Sequence, residues 1–205
     1  MRKLLFSLLL LSSIVFGDNI DEADKYFDSG FTHYESGDYS SAIKDFTKAI
    51  ELNPNLHQAY YNRGISYDDL KDYSSAIQDY TQAIELNPNL AQAYNNRGII
   101  YGDLKDYSLA IKDFTKAIEL NPNYAGAYYN RGKTYKALKD YSLAIQDYTK
   151  AIQLNPNYAE AYYSRGIAYF LSNKYSLATK DARKACSLGD CKLLQLMGEQ
   201  GHIRD

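Results

Sequence analysis

The sequence predicts an all-α fold, an array of five helix-turn-helix repeats followed by a short C-terminal capping helix. Three observations carry this. The motif Leu-Asn-Pro-Asn recurs at 52–55, 86–89, 120–123 and 154–157, always 34 residues apart. Its prolines, Pro54, Pro88, Pro122 and Pro156, are the only four in the chain. Between them, small and apolar residues recur at helical spacing, and no alternating strand pattern competes.

Placing each Pro at position 32 of a 34-residue unit gives repeats 23–56, 57–90, 91–124, 125–158 and a divergent fifth, 159–192, with a cap and tail over 193–205. The first 17 residues, MRKLLFSLLLLSSIVFG, read as a signal peptide. Arg2 and Lys3 precede a short apolar run, which ends in modest side chains before Gly17. The run is shorter than the roughly 20 apolar residues that span a bilayer. The expected product is an exported, periplasmic or secreted chain without stable membrane insertion, joined to the first repeat by a short lead, 18–22.

Within each unit, position 4 is Tyr26, Tyr60, Tyr94, Tyr128 and Tyr162, and position 8 is Gly30, Gly64, Gly98, Gly132 and Gly166. With Tyr at position 11 in all but the first unit, these share one face of a first helix. The second helix carries apolar residues at 17, 20, 21, 24, 27 and 28, the same period. A mid-helix Gly costs about 1 kcal/mol against Ala. Its recurrence predicts a close helix approach at position 8, with the alanines of positions 20 and 27 as counterparts.

Asp38, Asp72, Asp106 and Asp140 stand where a second helix begins and are expected to cap it. Asn55, Asn89 and Asn157, each followed three residues later by Gln58, Gln92 or Glu160, have capping-box-like spacing for the first helices.

These residues resemble the tetratricopeptide repeat (TPR) family, whose pattern runs Trp-x2-Leu-Gly-x2-Tyr, then Ala-x3-Phe and a Pro over 34 residues. The second unit reads Tyr60-x2-Arg63-Gly64-x2-Tyr67, then Ala76-x3-Tyr80, Ala83 and Pro88. The resemblance covers 23 to about 190 and implies a right-handed α-solenoid with a concave groove lined by first helices. Two departures stand out, Tyr for Trp at position 4 and Arg for Leu at position 7. Position 23 is always Asp, so Arg63, Arg97, Arg131 and Arg165 are expected to pair with Asp79, Asp113, Asp147 and Asp181. The first unit has Ser29 at position 7, which predicts an unpaired Asp45.

The resemblance also places positions 5, 6, 9, 12 and 13 on the groove. There stand Tyr61, Asn62, Ile65, Asp68 and Asp69 in the second unit and Asn95, Asn96, Ile99 and Asp103 in the third. The fourth supplies Tyr129, Asn130, Lys133 and Lys136, and the fifth Tyr163, Ser164, Ile167 and Phe170. The amides at position 6 can clip an extended peptide backbone, or they are a surface residue inherited by near-identical copies. Groove columns diverge where framework columns do not, running from acidic through basic to apolar. A ligand of complementary order is one reading, and freely drifting solvent positions are the other. The family's carboxylate-clamp pattern is absent, since position 5 is aromatic or Asn rather than Lys.

The fifth repeat loses its position-24 aromatic, at Ala182, and is followed by the apolar segment from Lys192 to Met197. Terminal repeats need such a cover. Cys186 and Cys191, the only two cysteines, flank Gly189 at this join. In an exported chain they are expected to form a structural disulfide, with reduced thiols as the alternative. A metal site lacks further ligands beyond His202.

Without Arg2 and Lys3, the 23 basic side chains become 21 against 25 acidic, a formal charge of −4. That is a poor match for nucleic acid or an anionic membrane. His33, His57 and His202 have no recurrent carboxylate beside them, and no Gly-rich phosphate loop exists. The expected function is a cofactor-free, non-catalytic adaptor that holds a protein or peptide segment in the cell envelope. The runner-up is a carbohydrate or cell-wall binder using Tyr61, Tyr129 and Tyr163.

Overall fold

The computed structural model describes residues 20–199, and those residues are helices joined by tight turns. The segment expected to be a signal peptide and His202 lie outside the described residues. Helix α1 is already helical at 20, within the expected lead, and runs to 35. There follow α2 (Tyr39–Leu52), α3 (His57–Asp69), α4 (Tyr73–Leu86), α5 (Ala91–Asp103) and α6 (Tyr107–Leu120). The remainder are α7 (Ala125–Ala137), α8 (Tyr141–Leu154), α9 (Ala159–Leu171), α10 (Tyr175–Ser187) and α11 (Lys192–Glu199). The chain divides into two compact units, Met1–Ala93 and Tyr94–Asp205. Among the described residues no helix is long and apolar enough to cross a membrane.

Second helices start as expected at three of the four aspartates. Asp38, Asp72 and Asp140 accept the backbone N–H three residues on, whereas Asp106 makes no such bond. First helices start differently from the expectation. Leu56 and Tyr158 occupy the cap positions of α3 and α9 without a side-chain bond. The asparagine that acts lies before the Pro rather than after it: Asn53, Asn87, Asn121 and Asn155 each accept from the N–H two residues on. That Asx turn sets the bend, so the following Asn is left as a donor of its backbone N–H.

The turn inside each repeat places position 15 in the left-handed region. Gly37 has φ of 80°, and Lys71, Lys105, Lys139 and Asn173 have 64°, 65°, 63° and 60°. Three lysines therefore sit where glycine is the low-cost choice.

The position-8 glycines do mark a close approach, but not chiefly to the alanines. A Cβ at Gly30, Gly64, Gly98 or Gly132 would fall 2.8–2.9 Å from a ring atom of Phe46, Tyr80, Phe114 or Tyr148. These are the position-24 aromatics, each buried to 2% exposure or less. The ring packs directly on the glycine, a contact that a Cβ would abolish. In the fifth repeat Ala182 leaves that space, and α11 fills it. Leu193 is the nearest side chain to Gly166 and is 1% exposed. Leu193 and Met197 form one cluster with Ala178 and Ala182. Cys186 and Cys191 are joined by a disulfide across Gly189, whose φ is 105°.

Candidate functional site

The first-helix face is held by a repeated polar tie. Arg63 Nε and Nη2 donate to the two Asp79 carboxylate oxygens at 2.7 and 2.8 Å. Arg97, Arg131 and Arg165 grip Asp113, Asp147 and Asp181 in the same forked way. The expected pairs are therefore present in repeats two to five. The third donor was not foreseen. Nη1 of Arg63, Arg131 and Arg165 reaches back to the hydroxyl of Thr47, Thr115 and Thr149, at 2.9–3.0 Å. Each threonine belongs to the preceding repeat, so one guanidinium bonds two repeats at once. The guanidinium carbon also lies 5.6–5.8 Å from the centre of the position-4 ring (Tyr60, Tyr94, Tyr128, Tyr162), within cation–π range. The hydrogen bonds Arg131 donates to Asp147 outweigh burial and hold the guanidinium above its ordinary value.

Asp45 is not unpaired. It accepts from the Ser29 hydroxyl at 2.6 Å and lies 2.9 Å from His33 Nδ1. Position 11, Tyr in the other repeats, is His33 here, and the ring takes the role the missing Arg has elsewhere.

In the compact unit Met1–Ala93, Asn62 donates its amide to Gln58 O, and Tyr61 packs 5.9 Å from the Tyr80 ring. Ile65 and Asp68 are partly buried, and Asp69 is exposed. Tyr34 is pushed up to about 12 by burial and then by its hydrogen bond to Asp69.

In the compact unit Tyr94–Asp205, Asn95 is buried and its amide donates to Asn96, while Asn130 donates to Asn95 at 3.1 Å. These three amides thus bond one another along adjacent first helices. Tyr129 packs on Tyr148 and Tyr158 at 5.8 and 4.9 Å. Ser164 is buried against the Tyr148 hydroxyl. Tyr163, Ile167 and Phe170 pack on the cluster around Leu193 and Met197, so α11 covers part of the face at the fifth repeat.

A cavity of ≈ 140 Å³ opens between α5 and α7. Ile99, Gly102 and Asp103 form one wall, and Asn130, Lys133, Thr134 and Ala137 the other. Tyr107 and Phe114 of α6 line its base. Four of the expected groove residues thus meet at one place, together with Gly102, the third repeat's residue at position 12. Lys136 follows Lys133 by three residues, so both lie on one side of α7. Burial, with the Lys133 charge second, holds Lys136 below its ordinary value. Among the described residues no three His, Cys, Asp or Glu side chains gather as a metal site.

The chain matches the tetratricopeptide repeat profile over 57–90, 91–124 and 125–158. Related TPR profiles match 30–70 and 147–180. A solved structure of MamA is 30% identical, covering 78% of this chain and 93% of that one, with a TM-score of 0.74. The chain belongs to the tetratricopeptide repeat family. A second MamA structure is 29% identical over 82% of this chain and 92% of that one, TM-score 0.75. YrrB, described as a TPR protein with an unusual peptide-binding site, is 22% identical over 90% and 97%, TM-score 0.74. The last shares the fold alone. None of the characterised proteins with curated descriptions matches this TPR chain. The all-α solenoid of helix-turn-helix repeats expected from the sequence is therefore its fold class.

Proposed function

We propose that this TPR protein is a non-catalytic scaffold that holds an extended segment of a partner protein against its first helices, in the cell envelope after loss of residues 1–17. Tetratricopeptide repeats are typically protein–protein interaction scaffolds, and the fold is shared with a protein described as having a peptide-binding site. The observation that carries the reading is the cavity between α5 and α7, where side chains that differ from repeat to repeat surround an opening on a rigid, repeated frame. The carbohydrate alternative gains no such support, because Tyr61 and Tyr129 are engaged with neighbouring rings.

Site-specific photo-crosslinking in the native envelope fraction tests the proposal. Crosslinkers at Ile99 and Lys133 should give the same partner adduct, and one at the exposed Lys112 on α6 should give none. Equal adducts from all three positions, or adducts from Lys112 alone, would remove the first-helix face as the contact. The mass of the protein recovered from that fraction reads the loss of residues 1–17.

A further inference from the structure

We infer that the α5–α7 cavity receives one aromatic side chain of the bound segment, with an acidic residue beside it on Lys133 and Lys136. The inference rests on the scaffold reading above and names the chemistry that site accepts. An apolar cavity of roughly 150 Å³ is large enough to admit benzene, and this one is ≈ 140 Å³. Tyr107, partly buried, offers a ring, and Ile99 and Ala137 offer apolar walls above the buried Phe114. Aromatic side chains prefer such offset or edge contacts with another ring.

Gly102 is what leaves the space. Its φ is not in the left-handed region, and a Cβ there would meet no atom within 4 Å. Neither backbone geometry nor packing calls for glycine, in contrast to Gly98 four residues earlier, where the Phe114 ring lies 2.9 Å from a Cβ. The same position carries Asp68, Lys136 and Phe170 in neighbouring repeats, any of which would fill the opening.

Charge sets the second half of the inference. Lys133 lines the cavity and is exposed, and Lys136, partly buried and one turn further along α7, lies outside the lining but close enough to feel the Lys133 charge. Among the described residues neither ammonium has a carboxylate within 4.0 Å. Burial first and the Lys133 charge second disfavour the charged form of Lys136, and a carboxylate next to the inserted ring would offset the repulsion between the two lysines. Asp103 stands on the opposite wall, so the acid belongs on the α7 side and a neutral or basic residue on the α5 side.

Selection from a random displayed-peptide library against three baits tests this: the mature protein, Gly102→Leu, and Lys133→Glu/Lys136→Glu. Gly102→Leu removes a helical glycine and clashes with nothing at Cβ, so its native helicity and an unchanged or higher Tm serve as the folding control. The mature protein should enrich peptides with an aromatic next to Asp or Glu by at least tenfold. Gly102→Leu should lose the aromatic preference, and the double charge reversal should replace the acid with Lys or Arg. Enriched peptides without that pair, or the same pair on Gly102→Leu, would overturn the inference and leave the scaffold reading standing. No enrichment on any bait, with no crosslinks from Ile99 and Lys133, would remove both.

Discussion

Removing the Asp147 carboxylate isolates what the repeated tie is worth. In Asp147→Ala, Arg131 loses two forked hydrogen bonds of 2.8 Å and keeps only Thr115 at 3.0 Å and the Tyr128 ring. The stranded guanidinium is only 17% exposed, so water does not replace the lost partner. Breaking one side of a buried ion pair costs about 3–5 kcal/mol, because the remaining charge is uncompensated. The surviving Thr115 bond and ring contact put the expected loss near the lower end, about 3 kcal/mol. For a chain of this length that is a fall in Tm of about 6–12 °C. Repeat arrays need not unfold in one step, so urea unfolding by circular dichroism should be paired with hydrogen exchange of the α7 and α8 amides. Arg131→Met/Asp147→Leu removes both charges and keeps much of the volume, so it should recover most of the loss. A single-variant loss below about 1 kcal/mol, or a double variant at least as unstable as the single, would refute a buried, coupled pair. Asp45→Ala should cost less, about 1 kcal/mol, since it strands a hydroxyl and a half-exposed imidazole instead of a guanidinium.

Glycines of opposite role should respond with opposite sign. Gly132→Ala forces the Tyr148 ring away from a 2.9 Å approach and should destabilise by about 1–3 kcal/mol, whereas Gly102→Ala should stabilise by up to about 1 kcal/mol, both read by urea unfolding. Leu193→Ala should cost about 3 kcal/mol of local stability at α11, and Cys191→Ser about 2 kcal/mol from the short loop it reopens. Both should appear as faster hydrogen exchange over 192–199 with little change at α7. Replacing Lys105 or Lys139 by Gly relieves a left-handed lysine and should raise stability by up to about 1 kcal/mol, net of the unfolded-chain entropy, as a higher urea midpoint. Tyr34 and Tyr158, pushed up to about 12, should escape the tyrosinate absorbance rise centred near pH 10. Because their folded pKa is raised, the stability they contribute is complete below about pH 10 and is lost as pH rises through 12.

The helices, their order and the Arg–Asp pairs were legible in the sequence because each repeats in a fixed column, so five copies reinforce one reading. What escaped notice depends on geometry between columns. The position-24 ring meets the glycine more closely than the position-20 alanines, which approach Gly132 and Gly166 through their backbone oxygens, because a side chain of that size reaches across the helix interface where a methyl does not. The Thr47, Thr115 and Thr149 contacts were missed because they join neighbouring repeats, whereas the pairing was sought within one. Asp45 was misread because His33 interrupts a column that is Tyr elsewhere. The candidate site was legible only in part. Ile99, Asp103, Asn130 and Lys133 stood in divergent columns, but the space they surround exists because Gly102 lacks a side chain, and an absence gives no pattern to read.

The guanidinium that bonds an acid in its own repeat and a hydroxyl in the one before also governs how such a chain can change in length. Insert or delete a whole 34-residue segment, and every arginine still finds a hydroxyl upstream and an acid sixteen residues downstream. A partial segment breaks whichever partnership spans the scar, and one that falls between the Arg and its Asp strands a cation inside. Unequal recombination of so repetitive a coding region would therefore yield foldable products only in complete steps, a ratchet on array size written into one side chain.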